Sequence, residues 1–169
     1  PVAFADLFTY ARPSSATFIN RRIDRLGNYE YFIDTDFVGT ATNLLTYSEQ
    51  FDHADWTKTR SSITVNDAAN PVDGLKTSAK LVEDSTASNT HHMRYNNISF
   101  TSGTTYTFSF YAKKAERKII YAQLETAAFP TGVSVQFNLQ AGITQTLGAA
   151  NPSVSISLTG DDYYLCTIT

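Results

Sequence analysis

The chain is poor in the residues that most often reveal a chemistry. Its 169 residues include one cysteine, one tryptophan and one methionine. A single cysteine, Cys166, cannot form an internal disulfide, a CxxC redox pair or a multi-cysteine zinc site. No apolar run approaches the roughly eighteen residues of a membrane span, and the start "PVAFADLF" lacks the layout of a signal peptide. We therefore expect no membrane insertion, and a fold that depends on packing.

Charge is also sparse, at 17% of residues, and it is slightly acidic. Thirteen Lys and Arg face sixteen Asp and Glu, for a net charge of -3. Such a chain has no broad basic field with which to neutralise phosphates, so a nucleic acid is not an expected partner. The short basic runs at Arg21 and Arg22, and in "KKAERK" at 113–118, are typical of a solvated face.

What the chain does have is period-two alternation broken by turn residues, from about Thr77 onward. In "TTYTFSFYAKK", the side chains of Tyr106, Phe108, Phe110 and Ala112 share one face of an extended strand. Similar runs include Ile120, Ala122 and Leu124; Val133, Val135, Phe137 and Leu139; Val154, Ile156 and Leu158; and Tyr164, Cys166 and Ile168. With "SSITVN", "TSAKLVED" and "HHMRYNNISF", about eight strands result, which predicts an all-β antiparallel β-sandwich or jelly roll. "TSGT" and "PTG" provide turns between them.

The first 42 residues show no sustained period and are predicted to be an extended N-terminal arm, followed by the β-domain at 43–169. Gly27 and Asn28 are compatible with a small hairpin, and Pro13 with a turn. The arm has no period that would give it a sheet of its own, yet it is rich in aromatic and aliphatic side chains that must be buried, on its own domain or on a neighbour. The last strand reaches Thr169, which leaves open whether another strand follows or a neighbouring subunit covers its edge.

The case for catalysis is thin. The histidines are His53, His91 and His92, and adjacent residues on an extended segment point to opposite faces, so His91 and His92 are not a metal-binding pair. No GxSxG, HExxH, GxxxxGK[ST] or GxGxxG spacing occurs. Cys166 falls on the inward face of its strand, where a thiol serves as a small apolar side chain. We predict that the protein is not an enzyme.

One acidic and aromatic stretch, "YSEQFDHADW", admits several interpretations. Glu49, Asp52 and Asp55 are solvated turn acids in the simplest of these; they also suit a calcium site or, less well, a carboxylate pair that hydrolyses surface polysaccharide. The stretch could form a turn or two of helix with Ser48 as its cap. Its tryptophan, Trp56, is more typical of a core than of a sugar platform.

The residues "NLLTYSEQFDHADW", "KTRSSITVN", "KLVEDSTASNTHHMRY", "ISFTSGTTYTFSFYAKKAER" and "YYLCTIT" resemble the jelly-roll, carbohydrate-binding-module-like domains of head-fibre and tail-fibre proteins in tailed phages and prophages. The upstream "FTYARPSSATFIN" is similar to the segment that often precedes such domains. The resemblance touches most of the chain and is weakest between Arg21 and Ala41. At 34–42, "DTDFVGTAT" replaces the Pro- and Arg-containing lead that is common in relatives.

This resemblance implies a fibre, spike or decoration protein of a virion, which binds other virion proteins, forms a homotrimer and contributes to attachment or host-surface contact. It implies that Asn43 to Leu45 open the first strand, that Phe51 and Trp56 pack under the sandwich, and that Asp52 helps to hold a structural calcium ion. No other cofactor is expected. The alternative function is a carbohydrate-binding module, in which exposed tyrosines stack on the sugar rings of a host-surface glycan across one sheet face. Those tyrosines are Tyr95, Tyr111 and Tyr121.

Overall fold

The structure is a computed structural model, and it describes residues 19–23, 29–33, 42–96, 98–124, 129 and 132–169. The chain divides into two compact units, Pro1–Thr46 and Tyr47–Thr169. The turn expected at Pro13 and the loop expected at Gly27 and Asn28 lie outside the described residues.

In the first unit, two five-residue strands form an antiparallel pair. Strand β1 is Ile19–Ile23 and β2 is Tyr29–Ile33, with Ile19 opposite Ile33 and Ile23 opposite Tyr29. The small hairpin predicted around Gly27 and Asn28 is therefore confirmed by its strands. The expectation of an arm with no sheet of its own is wrong here, because five cross-strand pairs form even though neither segment has a clean period of two.

The described residues of the second unit form ten strands. They are β3 Trp56–Thr59, β4 Ser61–Ala68, β5 Ser78–Glu83, β6 His92–Tyr95, β7 Phe108–Lys113, β8 Ile119–Leu124, β9 Val133–Asn138, β10 Ile143–Leu147, β11 Val154–Gly160 and β12 Tyr163–Ile168. All their pairings are antiparallel. The predicted all-β antiparallel fold is confirmed for the described residues, none of which lies in a helix, and so none of them forms a helix that could span a membrane.

Two three-stranded sheets carry the core. One has the order β10-β9-β8 and the other β11-β12-β7. Alternate side chains of both sheets enter one apolar cluster, in which Val135, Phe137, Cys166 and Ile168 are fully buried. The Phe110 ring of one sheet meets the Phe137 ring of the other edge-on, with centroids 5.6 Å apart. Two sheets that share a core in this way form a β-sandwich-like body.

The other described strands of this unit form two smaller sheets, one of β3 and β6 and the other of β4 and β5. Each is an antiparallel pair. Asn66, at a φ of 55°, lies where the β4-β5 register shifts, between Thr64 and Ala68. Asparagine tolerates that left-handed backbone better than most residues.

The alternation that predicted the inward faces is confirmed in the core sheets except at Leu158, which was predicted to point inward and is exposed near the end of β11. Val133, Val135, Phe137 and Leu139 are buried as a set. The predicted "TSGT" turn is present, with the Thr104 amide donating to the Thr101 carbonyl at 3.2 Å and Gly103 at a φ of 80°. At the C-terminus the expectation of an open edge is wrong, because β12 pairs with β11 on one side and with β7 on the other.

Two expectations about the start of the domain are also wrong. Residues 43–45 form no strand, and the first strand of the β-domain begins at Trp56. The expected helix at "YSEQFDHADW" is instead a series of turns, in which the amides of Gln50, His53 and Trp56 each donate to the carbonyl three residues earlier. Three separate turns at this spacing reverse the chain without closing a helical ladder.

Candidate functional site

The most suggestive surface is the outer face of the β10-β9-β8 sheet, called here the Tyr121 face. Its side chains fall in three rows across the strands, because each strand turns every second residue outward. The rows are Ile119, Asn138 and Ile143; Tyr121, Gln136 and Gln145; and Gln123, Ser134 and Leu147. None of these nine side chains is charged.

The inward side of the same strands explains why the Tyr121 face is presented outward. Ala122 of β8, and Val135 and Phe137 of β9, are buried in the core. Since neighbours along a strand point to opposite faces, the burial of Ala122 and its flanking Ile120 fixes Tyr121 in solvent. The apolar alternation in the sequence thus determines which side chains form the face.

A tight turn brings β10 alongside β9 and so completes the middle row. Asn138 ends β9, and its side-chain oxygen accepts hydrogen bonds from the amides of Gln140 at 3.1 Å and Ala141 at 3.0 Å. Gly142 follows at a φ of 66°, and a Cβ there would lie 3.2 Å from the Tyr164 ring. The turn therefore depends on both asparagine and glycine, and it sets the register that places Gln145 beside Gln136.

Tyr121 is the centre of the surface. Its side chain is 59% exposed, and its hydroxyl donates to the Gln136 side-chain oxygen at 3.0 Å. The hydrogen bond restrains the ring against the sheet and leaves its outer surface open. An exposed, restrained aromatic ring is a typical stacking platform for an apolar surface of a ligand.

The neighbours of Tyr121 are amides. Gln136 is half-buried, and Gln123 and Gln145 are exposed. An amide side chain carries both donors and an acceptor, so a group of amides suits a ligand covered with hydroxyls, which also both donate and accept. An aromatic ring, several amides and no charge together match the chemistry of a neutral sugar chain, which presents apolar ring faces and hydroxyl edges.

The three tyrosines predicted to share one sheet face do not do so. Tyr121 is on β8, Tyr111 is on β7 in the other core sheet, and Tyr95 is on β6. Tyr111 is 45% exposed on the outer side of its own sheet. Tyr95 is half-buried, with its ring edge-on to Trp56 at 5.0 Å. The prediction failed because strand order, which places these residues in different sheets, cannot be derived from alternation.

Trp56 is buried, as predicted, but it is not part of the core beneath the two three-stranded sheets. It is 7% exposed, and its ring meets Phe51 edge-on at 5.2 Å. The indole N–H donates to the Tyr47 carbonyl at 2.8 Å. Trp56 lies outside the buried cluster of the two core sheets, and together with Phe51 and Tyr95 it closes the turns at 47–55 against the β3-β6 pair. The stretch is therefore organised as a structural clasp.

Asp52, the predicted calcium ligand, is exposed within this clasp. The Lys58 ammonium donates to the Asp52 carbonyl at 3.0 Å and to the His53 carbonyl at 2.8 Å. A lysine thus already provides a positive charge at the carbonyls of the loop. No group of three or more His, Cys, Asp or Glu side chains among the described residues is arranged to hold a metal ion. Calcium at Asp52 remains a prediction.

The other members of the acidic stretch have local partners or face solvent. Glu49 is exposed. Asp55 accepts from the Tyr95 hydroxyl at 3.5 Å, and its amide donates to His53 Nδ1 at 3.2 Å. That bond requires Nδ1 to be unprotonated, so it competes with an ion pair between the same nitrogen and the Asp55 carboxylate, 3.5 Å away. The hydrogen bond from the Asp55 amide explains the position of the His53 ring, so His53 is part of the turn.

The other two histidines differ in their surroundings, because His91 lies beside acidic side chains and His92 faces solvent. His91 Nε2 lies 3.1 Å from Asp84 Oδ1, and its Nδ1 lies 3.9 Å from Glu83 Oε2. The Thr86 amide donates to Asp84, and this bond, assisted by His91, lowers the pKa of the Asp84 carboxyl. His92 is exposed at the start of β6. As predicted, the two adjacent histidines do not converge.

The basic run at 113–118 lies on the surface, as expected. Arg117 binds Glu83 through its guanidinium, and Glu116 binds Lys80 at 3.0 Å. A hydrogen bond from the backbone amide of Glu116, together with the hydrogen bond from Lys80, lowers the pKa of the Glu116 carboxyl. Lys113 lies over the Tyr163 ring, 5.5 Å from its centroid. These cations pair with nearby groups on the same domain, which is the arrangement of a solvated face.

Tyr121 was identified from the sequence, but the rest of its face was not. Gln136 and Gln145 are ordinary polar positions in an alternating strand, and they gain meaning only from the register that aligns them with Tyr121. The one available signal was the Asn138 to Gly142 turn, whose residue types predict a hairpin and hence the pairing of β9 with β10.

No family model matches the chain, and no curated protein is similar to it in sequence.

Proposed function

We propose that the protein is a non-catalytic contact module of a phage virion, which binds neutral host-surface glycans through the Tyr121 face. The virion context comes from the sequence resemblance described above. The contact surface comes from the geometry of the sheet. On this proposal the β-sandwich-like body is a jelly roll, and the protein is a structural and adhesion component, not an enzyme.

The observation that carries the glycan proposal is the row of Tyr121, Gln136 and Gln145 across the middle of the face. Tyr121, hydrogen-bonded to Gln136 and followed across the sheet by Gln145, offers one stacking surface and two amide groups in line. An anionic polysaccharide would need cationic side chains to offset its charge, and the face has none. A neutral glycan requires only stacking and hydrogen bonds.

An array of neutral and acidic glycans tests this proposal with the full-length protein. We expect binding to neutral glycans that weakens about tenfold in Tyr121→Ala, the loss expected for one aromatic contact. Tyr111→Ala is the matched control, since it removes an exposed tyrosine from the outer side of the other core sheet. Equal loss in both variants, or binding to no neutral glycan, would contradict the proposal.

The virion assignment has its own test. Antibodies against the chain should detect it in phage particles purified by density gradient. Detection only in the cytosol of infected cells would exclude a virion role while leaving the glycan result unaffected. Shortening of host polysaccharide by the protein, abolished in Asp52→Ala, would instead indicate an enzyme.

The proposed partners are other virion proteins and two further copies of the chain. A homotrimer, held by the N-terminal arm, accounts for the many aromatic and aliphatic residues at 1–42. Burying several of them contributes about 1.5–3 kcal/mol each before ordering costs.

Deleting residues 1–41 should leave the circular dichroism of a folded β-domain and reduce the number of associated chains threefold. A deletion variant of unchanged stoichiometry would refute this role.

A further inference from the structure

Among the described strands, β11, Val154–Gly160, lies at the edge of its sheet, and one row of its backbone groups has no strand partner. It pairs with β12 on one side, and no described strand pairs with its other side. Ser153 and Thr169 exchange both of their backbone hydrogen bonds, at 2.9 and 2.8 Å. Because hydrogen-bonded and non-hydrogen-bonded pairs alternate in an antiparallel ladder, the amides and carbonyls of residues 154, 156 and 158 point away from β12.

This edge lacks the usual protection against pairing. From Ala150 to Gly160 there is no charged residue, and the only proline, Pro152, precedes the strand. The register irregularity lies between Leu158 and Gly160, so the backbone from Val154 to Leu158 is regular. In natural proteins, charged residues, prolines or bulges within an edge strand generally prevent it from pairing with another chain.

The sequence of the edge is complementary to itself. Val154 to Leu158 reads VSISL, which has the same pattern of apolar and polar residues in both directions. If a second copy lies antiparallel and centred on Ile156, Val154 faces Leu158 of the other copy and Ser155 faces Ser157. Every apolar side chain then meets an apolar one, and no like charges come opposite each other.

We propose that two copies of the chain associate through antiparallel pairing of β11 with β11, centred on Ile156. Residues 154, 156 and 158 point their free amides and carbonyls toward the partner, so about six backbone hydrogen bonds form. The β11-β12-β7 sheet of one copy and the same sheet of the second copy then form one six-stranded sheet. Leu158, which is 64% exposed, gains a neighbour in Val154 of the second copy.

A second copy fits this edge better than an unrelated extended peptide does. Any extended peptide could satisfy the backbone groups, but a second copy brings a strand whose apolar and polar residues already match VSISL in the antiparallel register. A two-fold contact is also isologous, so it closes after two copies and does not propagate into a fibre.

Charge introduced along the edge provides the test, with full-length protein in sedimentation equilibrium. Ser155 and Ser157 are exposed, and Ser155→Lys with Ser157→Lys sets lysine against lysine at two positions of the pairing. We expect an even number of chains in the wild type, six where the arm also forms the proposed trimer, and half that mass in the double variant. Mixing the double variant with Ser155→Glu and Ser157→Glu protein should restore the wild-type mass.

The matched control adds the same two charges at the same spacing to another edge strand. Ile143→Lys with Gln145→Lys, on β10, should keep the wild-type mass. As an independent measurement, Ser155→Cys with Ser157→Cys should form covalent dimers on oxidation, because these residues face each other as close pairs. An odd number of chains in the wild type, an unchanged mass in the lysine variant, or no covalent dimer would each overturn the pairing.

Discussion

At the scale of single residues, Trp56 shows how one side chain organises the loop before the first strand of the domain. Its ring packs against Phe51 and Tyr95, and its N–H donates to the Tyr47 carbonyl. The packing was predictable from the rarity of tryptophan and its apolar neighbours. The hydrogen bond was not, since it depends on three successive turns that bring residue 47 back to residue 56.

We expect Trp56→Phe to lower the free energy of unfolding by about 1–3 kcal/mol, because it removes a hydrogen bond and leaves a small void. Urea unfolding followed by circular dichroism measures the change. Tyr121→Phe is the control; it removes an exposed hydrogen bond and should change stability by less than about 0.5 kcal/mol. Equal effects in the two variants would show that the clasp does not stabilise the fold.

Cys166 provides a prediction about reactivity and pH. It is fully buried, and burial raises the pKa of its thiol from the ordinary 9.0 to about 12. The native protein should therefore resist a thiol reagent at pH 8 and react only when urea unfolds it. Rapid labelling of the native protein would contradict the burial.

The same pKa shift has a consequence for stability. A thiol with a higher pKa in the folded state favours folding while it is protonated, so its contribution is complete below pH 9. That contribution should decline between pH 9 and about pH 12, and Cys166→Ala should remove this part of the alkaline loss. Urea unfolding of both proteins across this range measures the difference.

At the scale of elements, the hairpin of β11 and β12 depends on a two-residue turn. Asp161 and Asp162 have φ values of 51° and 64°, and the flanking Gly160 and Tyr163 are paired. Two successive positive φ values define a type I′ turn, which suits the right-handed twist of the strands and favours Asn-Gly. Aspartate tolerates the left-handed region but is not the best residue for it.

We expect Asp161→Asn with Asp162→Gly to raise the free energy of unfolding by about 0.5–1 kcal/mol. Asp162→Val should lower it by about 1–2 kcal/mol, since a β-branched side chain is strained at this φ. Chemical denaturation compares the two variants with the wild type. A valine variant as stable as the glycine variant would mean that the turn is not of this type.

Strands with alternating apolar residues were predictable from the sequence, and strands without that alternation were missed. The alternation Val133, Val135, Phe137 located β9 and its buried face. Strand β10, Ile143–Leu147, has the pattern ITQTL with Ile143 exposed, so apolar alternation carries no signal there. Strand β3, Trp56–Thr59, is only four residues long and is separated from β4 by Arg60, which has a φ of 50°.

At the scale of the whole molecule, function depends on which strands become neighbours. Tyr95, Tyr111 and Tyr121 have similar surroundings in the sequence, yet the sheet order assigns each to a different sheet. Only Tyr121 has a hydrogen-bonded glutamine beside it and a second glutamine across the sheet. Alternation predicts whether a side chain points in or out, and the cross-strand register decides which exposed side chains act together.

An NMR titration shows directly whether a neutral glycan binds at the Tyr121 face. The probe is the neutral oligosaccharide with the strongest signal on the glycan array, added to isotope-labelled full-length protein. We predict that backbone amide shifts change most along the β10-β9-β8 sheet, around Tyr121, Gln136 and Gln145. Changes confined to the β11-β12-β7 sheet around Tyr111, or no changes at saturating oligosaccharide, would show that the Tyr121 face does not bind the glycan.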